Sequence, residues 1–361
     1  MFQRIAFKRL NRAYLRSRVL EFDPQRNRYI IFSDQHLGDG KKGSDDFYRH
    51  RKLYHHALSE YYDKDFTLIS VGDVEELWEC NFRDIMKCYP DIYEMESRFL
   101  KKGRFIRIYG NHDRRWERRK KIKNELNQVL PGAEVDQGVI IQWEKPDQRI
   151  FIAHGHQGGI LDDIFWRVSK LIVRYFWKNL QRLARIPSTS PAKNHKIRDS
   201  REQIYYKWAK KKKLLFIAGH THRAMFESYS KIDRLKIKID KLNQRIKEIE
   251  EKIEKEGSLE DLLKKRDQLA EDLLDLKKRL QVSLDENRQG KEQKDLEPGE
   301  VPVPCYFNDG CCCFPHCITG IEIEDGMIRL VKWQDSGGFK KEPFEEAEIK
   351  LIFDSISRHA T

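Results

Sequence analysis

Five short segments of the sequence end an apolar run with residues that can bind a metal ion. They are "SDQH", "VGDVEE", "YGNHD", "AHGH" and "AGHTH". Their candidate residues are Asp34, His36, Asp73, Asn111, His112, His154, His156, His220 and His222. Any one segment alone is typical of a helix cap or a turn. Five in succession offer the carboxylate, amide and imidazole ligands that two divalent ions need.

This set of ligands indicates both the kind of metal and the kind of reaction. Mixed nitrogen and oxygen ligands without cysteine suit manganese, iron, zinc or cobalt better than calcium or magnesium. Two such ions about 3.5 to 4 Å apart can activate a bridging water and hold both oxygens of an in-line displacement at phosphorus. The pattern therefore predicts hydrolysis of a phosphoester bond.

The apolar runs before these residues predict the elements that position them. Each reads as a buried strand of four to six residues that leads directly into a loop. Helical spacing at 45–62 and 89–100 separates the first three strands, which is typical of an α/β fold. Ligands of α/β sheets gather at the carboxyl ends of the strands. All five loops are therefore expected to meet at one edge.

Composition restricts the class of protein. The 361 residues include 70 lysines and arginines against 58 acidic residues, and the net charge of +12 favours anionic partners such as phosphate groups, nucleic acid or an anionic membrane surface. The sequence has no apolar run of about 18 residues, and its first residues lack the pattern of a secretory signal. We therefore expect the chain in the cytoplasm, either free or bound peripherally to the inner face of the membrane.

Two segments interrupt the α/β pattern. Residues 160–213 contain a basic amphipathic helix at 164–186, which could pack on its own domain or bind a membrane surface or a lipid substrate. Residues 231–300 show heptad spacing broken by "EGS", which predicts a coiled-coil hairpin followed by a polar linker. The hairpin carries no evident chemistry and suits self-association or a protein partner.

These boundaries predict the organisation of the chain. A basic N-terminal segment occupies 1–27, and a core at 28–230 includes the helical insertion. The hairpin and linker occupy 231–300, and residues 301–361 return to the core with C-terminal strands.

A cysteine cluster in "CYFNDGCCCFPHC" fits none of these elements. It comprises Cys305, Cys311, Cys312, Cys313 and Cys317, together with His316. Reduced thiols are expected, because a long chain with few other cysteines does not resemble a small disulfide-stabilised domain. The cluster could be a third metal site, a redox-sensitive patch or a compact structural loop.

The order of the motifs D-x-H, G-D, G-N-H-D, a strand-end histidine and G-H-x-H resembles the calcineurin-like metallophosphoesterase superfamily over residues 29–223. The resemblance implies two facing mixed β-sheets flanked by helices, and a pair of divalent ions, with manganese expected first. It implies that Asp34, His36 and His222 hold one ion. It also implies that Asn111, His154 and His220 hold the other, with Asp73 bridging them.

The same resemblance implies roles for residues that bind no metal. His112 would stabilise the transition state or protonate the leaving oxygen, with Glu76 as its acidic partner and Asp113 as the alternative partner. His154 is assigned to the metal because it directly follows the strand, which leaves His156 either to support the ligands or to contact phosphate. The reversed assignment of His154 and His156 stays open. Arg114 and Arg223 are candidate substrate-binding residues.

Three functions remain open at this point. The insertion after "AHGHQGG" and the ending "GHTHR" resemble UDP-2,3-diacylglucosamine hydrolases, which cleave a nucleotide-lipid pyrophosphate at a membrane surface. The basic stretches "HDRRWERRKKIK" and "KWAKKKK", with Arg201, could instead bind nucleic acid as the substrate of a nuclease. A non-enzymatic scaffold that uses the hairpin for assembly is the third reading.

Overall fold

Two mixed β-sheets of six strands each form the core of the computed structural model, which describes residues 2–23, 27–40, 45–158, 195–256, 260–287 and 302–359. The first sheet has the strand order β1-β5-β6-β7-β10-β8, and the second has the order β13-β12-β11-β2-β3-β4. The first sheet contains β1 (Arg18–Glu21), β5 (Val139–Gln142), β6 (Arg149–Ile152), β7 (Leu215–Ala218), β8 (Met225–Phe226) and β10 (Tyr306–Asn308). The second contains β2 (Tyr29–Phe32), β3 (Thr67–Val71), β4 (Phe105–Ile108), β11 (Cys317–Glu324), β12 (Met327–Asp335) and β13 (Phe339–Glu348).

Helices cover the sheets and connect their strands. They are α1 (Phe2–Arg16), α2 (Arg51–Asp63), α3 (Phe82–Cys88), α4 (Pro90–Lys101), α5 (Arg119–Asn124), α6 (His195–Lys212) and α9 (Ile349–Arg358). Helix α6 falls within the predicted helical insertion, whereas the basic amphipathic helix predicted at 164–186 lies outside the described residues.

Parallel strands β2, β3 and β4 carry three of the predicted loops. Tyr29 pairs with Thr67 and Leu68 pairs with Phe105, so the three strands end at the same edge. All four residues of β2 are buried, as expected for a parallel strand covered on both faces. In the first sheet, β6 and β7 are also parallel to each other. The predicted α/β class and the sandwich of mixed sheets are confirmed.

Apolar side chains fill two layers. One core lies between the sheets, where Ile31, Ile69 and Val71 pack with residues of β5, β6 and β7. A second core lies between the outer face of the second sheet and helices α2 and α4. Burying these side chains contributes roughly 25 cal/mol per Å² of apolar surface and holds the strand ends in place.

Residues Tyr229–Pro302 form a second compact unit, and residues Met1–Ser228 with Val303–Thr361 form the first. The second unit contains the two-residue strand β9 (Tyr229–Ser230) and the long helices α7 (Lys231–Glu256) and α8 (Glu260–Asn287). The two helices lie against each other. The coiled-coil character of this hairpin and its partner stay predictions.

Candidate metal centre and active site

The five predicted loops follow five strands of the two sheets and meet at one place. Strands β2, β3 and β4 of the second sheet supply the loops of "SDQH", "VGDVEE" and "YGNHD". Strands β6 and β7 of the first sheet supply the loops of "AHGH" and "AGHTH". Backbone hydrogen bonds join neighbouring loops, from Asp34 N to Gly72 O (3.1 Å) and from Gly219 N to His154 O (3.1 Å).

One ligand group combines Asp34, His36 and His222. His222 Nε2 lies 3.1 Å from Asp34 Oδ1, and His36 Nε2 lies 3.7 Å from the same oxygen. The two Nε2 atoms are 3.3 Å apart. Ligand atoms of all three residues therefore lie within 4.8 Å of one another, which is close enough to surround a single ion.

A second group combines Asp73, His154 and His220 in the same way. His154 Nε2 lies 3.2 Å from Asp73 Oδ2 and 3.2 Å from Asn111 Oδ1. Asp73 Oδ2 is also 3.8 Å from His36 Nε2, which belongs to the first group. Asp73 thus lies between the two groups, where a bridging carboxylate would lie.

Three of the histidines turn Nε2 toward the centre and Nδ1 away from it. His154 Nδ1 donates to the carbonyl oxygen of Val71 at 2.8 Å, and His36 Nδ1 lies 2.9 Å from a carboxylate oxygen of Glu76. His222 Nδ1 faces the sulfur of Cys313 at 3.5 Å. Metal-binding histidines usually hold an acceptor at the outer nitrogen in this manner, because it fixes the tautomer and the ring orientation.

The residues present fit two divalent ions. Asp34 Oδ1 is buried and accepts no hydrogen bond from the described residues, although it faces two imidazoles. Two imidazole Nε2 atoms, of His36 and His222, converge on this buried carboxylate oxygen, and such a mixed set of nitrogen and oxygen ligands suits a divalent transition-metal ion. The role of each side chain as a ligand stays a prediction.

Electrostatics at the centre reflect burial and dense charge together. Burial alone would raise the pKa of Asp34, but His222 and His154 hold it well below its usual range. Burial lowers the pKa of His154 less than Asp73 and Asp34 raise it, and the result is about 9. The carboxylates therefore stay ionised at neutral pH and keep their affinity for cations.

His112 lies beside this centre, and its surroundings favour one of the two predicted acidic partners. His112 Nδ1 is 2.7 Å from Glu76 Oε2, so Glu76 contacts His112 and His36 together. Asp113 is fully buried and instead accepts the backbone N–H groups of Val74 (3.0 Å) and Gly110 (2.6 Å). The geometry places Glu76, and not Asp113, against His112.

The candidate substrate-binding residues have different environments. His156 is fully buried, and neither ring nitrogen has a hydrogen-bond partner among the described residues. Burial and the neighbouring His154 and Arg114 lower its pKa well below the usual value. Arg114 pairs with Glu117 at 3.0 Å.

Arg223 and Arg201 both lie near the "GHTH" loop. Arg223 Nη1 pairs with Asp199 (2.9 Å) and Glu202 (3.1 Å) of α6, so its charge is already engaged. Arg201 Nη1 lies 3.4 Å from His220 Nε2, at the centre. The sequence pattern suggested only a general basic surface for Arg201.

Several residues at the site are absent from the sequence interpretation. Trp78 stacks on the ring of His112 with the centroids 4.1 Å apart. Ser33 Oγ donates to Asp34 Oδ2 at 2.5 Å and lies 2.8 Å from Asp309 Oδ1. Burial and the charge of Asp34 raise the pKa of Asp309 well above its usual range. Trp78 stands two residues after Glu76, Ser33 opens "SDQH" and Asp309 lies in "CYFNDG", but the local spacing of these segments predicted none of the contacts.

The cysteines remain reduced and fall in different places. Each of the seven, all within the described residues, is a free thiol. Cys305 and Cys312 are buried in the two cores, whereas Cys311 and Cys313 lie within 4.8 Å of His222. The three interpretations of the cluster all stay predictions.

A family model described as calcineurin-like phosphoesterase matches residues 28–224, which is more than half of the chain. The matched region contains all five loops of the centre. No curated protein matches the sequence.

Proposed function

Because the chain belongs to the calcineurin-like phosphoesterase family of metal-dependent phosphoester hydrolases, we propose that it cleaves the pyrophosphate of a nucleotide-lipid such as UDP-2,3-diacylglucosamine. The observation that carries the reaction is the arrangement of two ligand groups with Asp73 between them. A pyrophosphate presents two adjacent phosphoryl groups, and a centre with two ions suits such a substrate.

Seven residues would hold the two ions, with manganese preferred over iron, zinc or cobalt. They are Asp34, His36, Asp73, Asn111, His154, His220 and His222. When bound, the ions supply Lewis-acid activation of water and of a phosphoryl oxygen.

His112 would protonate the leaving oxygen. Its Nδ1 is held by Glu76, and its ring is fixed by stacking on Trp78, so Nε2 is the nitrogen left for the substrate. Trp78 is in turn anchored because its Nε1 donates to Asn111 O at 2.9 Å. A fixed imidazole loses little freedom when it transfers a proton, which favours general acid catalysis.

The buried residues beside the centre would bind the substrate phosphates. His156 offers ring nitrogens without a partner among the described residues, and the charge of Arg114 lies close enough to affect its pKa. Arg223 would act mainly by holding α6 against the "GHTH" loop, because Asp199 and Glu202 already engage it.

Charge pairing in the basic stretch after "GNHD" favours the nucleotide-lipid over nucleic acid. Glu125 pairs with Arg115 (2.5 Å) and Lys121 (2.8 Å), and Glu117 pairs with Arg114 (3.0 Å). Paired cations contribute less to binding a phosphate backbone than free ones. The resemblance of the insertion and of "GHTHR" to the UDP-2,3-diacylglucosamine hydrolases supports the same choice.

A parallel assay of substrates tests the proposal. Reduced protein with manganese is given UDP-2,3-diacylglucosamine, single- and double-stranded nucleic acid, and soluble nucleotides, with and without anionic lipid vesicles. We expect cleavage of the nucleotide-lipid to UMP and a lipid phosphate. We also expect vesicle binding that weakens with salt, because exposed charges are screened over about 8 Å at physiological ionic strength.

Two other results would each overturn part of the proposal. Cleavage of nucleic acid with steep salt dependence, and none of the lipid, would identify a nuclease. No turnover of any phosphoester, an activated aryl phosphate included, would favour the scaffold reading. An Asp73→Asn variant is the control that assigns any turnover to the centre. Among the described residues no helix is long and apolar enough to cross a membrane.

A further inference from the structure

Two neighbouring cysteines of the loop between β10 and β11 lie on the outer side of His222, and one of them, Cys313, contacts it. Cys313 Sγ lies 3.5 Å from His222 Nδ1 and 3.5 Å from Cys311 Sγ. Cys311 is fully buried and Cys313 is partly exposed. A small oxidant can therefore reach the sulfur of Cys313, and Cys311 is the thiol next to it.

Cys313 occupies a position that oxygen atoms occupy at the other histidines. The outer nitrogen of His154 is held by Val71 O, and that of His36 is held by Glu76. Neither acceptor changes its covalent state under oxidising conditions. The outer nitrogen of His222 instead faces a thiol, and a thiol does change its covalent state when it is oxidised.

The loop fixes one of the two cysteines more firmly than the other. Cys311 N and Cys311 O both lie within hydrogen-bond distance of Thr319, at 3.3 Å from its Oγ1 and 3.2 Å from its backbone nitrogen. A disulfide bond is about 2.05 Å long, so the sulfurs must approach each other. Because the backbone of Cys311 is held, rotation of the Cys313 side chain away from His222 is the easier movement.

We propose that Cys311 and Cys313 are a reversible disulfide modification site, and that their oxidation withdraws Cys313 Sγ from His222 and weakens the metal centre. The inference rests on the proposed role of His222 as a metal ligand. Two thiols lose two electrons and two protons to form one disulfide. A hydroperoxide accepts them and becomes an alcohol and water, and an azo oxidant accepts them and becomes a hydrazine.

Mass spectrometry tests the disulfide itself and requires no enzymatic activity. Reduced full-length protein is treated with diamide, an azo oxidant, and digested with trypsin after the remaining thiols are blocked. We expect the peptide that contains the cluster to lose two hydrogens. Cys311→Ser and Cys313→Ser should each abolish the loss, and Cys317→Ser, which changes a cysteine of the same peptide, should not.

The consequence for the centre is tested by manganese affinity. Titration calorimetry of the metal-depleted protein should show affinity about 10- to 100-fold weaker after oxidation, the usual effect of losing a partner of a metal-binding histidine. Dithiothreitol should restore it. Cys313→Ala should weaken binding without any oxidant, and Cys311→Ser should bind normally before and after diamide.

Three outcomes would overturn the inference. The first is a disulfide that persists in Cys311→Ser, because another pair would then be responsible. The second is a disulfide between Cys311 and Cys313 that leaves manganese affinity unchanged. The third is reduced protein that binds one extra zinc ion lost in Cys311→Ser, which would indicate a third metal site. Failure of the proposed function gives different results: reduced protein would show no turnover of the nucleotide-lipid, and, if the metal centre itself is wrong, no manganese binding.

Discussion

The backbone of the candidate ligands adopts a conformation that costs free energy. Five of them have positive φ angles between 51° and 69°, namely Asp34, His36, Asp73, His220 and His222. Left-handed backbone in residues other than glycine costs roughly 1 kcal/mol or more each, and it persists only where the surroundings enforce it. Here the hydrogen bonds between loops and the buried strands enforce it. The strain turns residues two apart, such as Asp34 and His36, toward one point.

The shared position of Asp73 gives a prediction at a single residue. Asp73→Asn should reduce hydrolysis of an activated aryl phosphate far more than His156→Ala, because Asp73 lies between both ligand groups. His156→Ala is expected to cost about 10- to 100-fold, because His156 would hold no ion itself and would only support the ligands or contact a substrate phosphate. Steady-state rates with manganese measure the difference. Equal losses would mean that the assignment of His154 and His156 must be reversed.

His112 gives a second prediction, which separates rate from metal binding. His112→Ala should lower kcat by roughly 100- to 10,000-fold, the range for a lost general acid, while leaving manganese stoichiometry unchanged. Metal analysis and kcat are measured on the same preparation. His359→Ala, at the exposed position that follows α9, is the matched control and should change neither. Loss of metal from His112→Ala would contradict its role as a residue that binds no ion.

The sequence suggested candidate ligands but none of their hydrogen-bonding partners, for a physical reason. A candidate ligand such as His154 is recognisable because its residue type and its place after an apolar strand are both local properties. The contact between Ser33 and Asp309 joins positions 276 residues apart, and Cys313 meets His222 across 91 residues. Such contacts arise from the packing of the two sheets. The spacing of neighbouring residues in the sequence gives no information about that packing.

The helices predicted at 45–62 and 89–100 are both present, but each begins later in the sequence than predicted. Helix α2 begins at Arg51, because the carboxylate of Asp45 accepts the backbone N–H groups of Tyr48 (3.1 Å) and Gly40 (2.9 Å) and closes a turn. Helix α4 begins at Pro90, which suits the first turn, where its missing N–H is not needed. Side-chain hydrogen bonds of this kind compete with the helix and are hard to see in a hydrophobic pattern.

A buried charge cluster links strand β4 to helix α4. Arg107, in the middle of β4, is fully buried and lies 2.5 Å from Glu75 and 3.5 Å from Glu96 of α4. The alternation of Arg107 with apolar residues in "FIRI" does not indicate that this cation is buried. Burial raises the pKa of Glu96 to about 7, because Glu75 and Asp113 nearby offset much of the opposing effect of Arg107.

The raised pKa gives a prediction about pH and stability. Below about pH 4.5 Glu96 is protonated in both states, and between about 4.5 and 7 only the unfolded chain releases the proton. The free energy of unfolding should therefore fall as pH rises through this window, by at most about 1.4 kcal/mol per pH unit from this group. Glu96→Gln should remove that part of the slope, as measured by urea unfolding.

The control for this prediction lies on the same helix. Glu94 is exposed on α4, and Glu94→Gln should leave the slope of stability against pH as it is. The pair Arg107 and Glu75 remains in Glu96→Gln, so no cation is left buried alone. An unchanged slope in Glu96→Gln would show that Glu96 titrates as it does in the unfolded chain.

At the scale of the whole molecule, the five motifs and the hairpin fall in different compact units. The first unit contains both sheets and every candidate ligand, and the second contains α7 and α8. The change from strand spacing to heptad spacing near residue 231 predicts a boundary there, and the predicted domain organisation stays a prediction. The long antiparallel strands β11, β12 and β13 were foreseen only as C-terminal strands, because charged residues on their exposed faces weaken the apolar pattern.

The ends of the first unit at this division are close together, which permits a deletion. Ser228 Oγ donates to Val303 O at 2.7 Å, and Ser228 N donates to Tyr306 O at 2.8 Å. A linker of four glycine and serine residues in place of Tyr229–Pro302 should therefore close the chain without strain. Because closing a shorter loop costs slightly less entropy, stability should be preserved within about 1 kcal/mol. Thermal unfolding and manganese-dependent hydrolysis of an aryl phosphate measure the outcome.

Retention of hydrolysis in the shortened chain would show that the chemistry belongs to the first unit, since all candidate ligands remain in it. Asp73→Asn in the same shortened chain is the matched control and should abolish the activity. A shortened protein that folds with an unchanged melting temperature but no longer turns over the small substrate would assign the second unit a direct part in catalysis. If it keeps the small substrate and loses only the nucleotide-lipid, the second unit serves the binding of large substrates or partners, and the centre works without it.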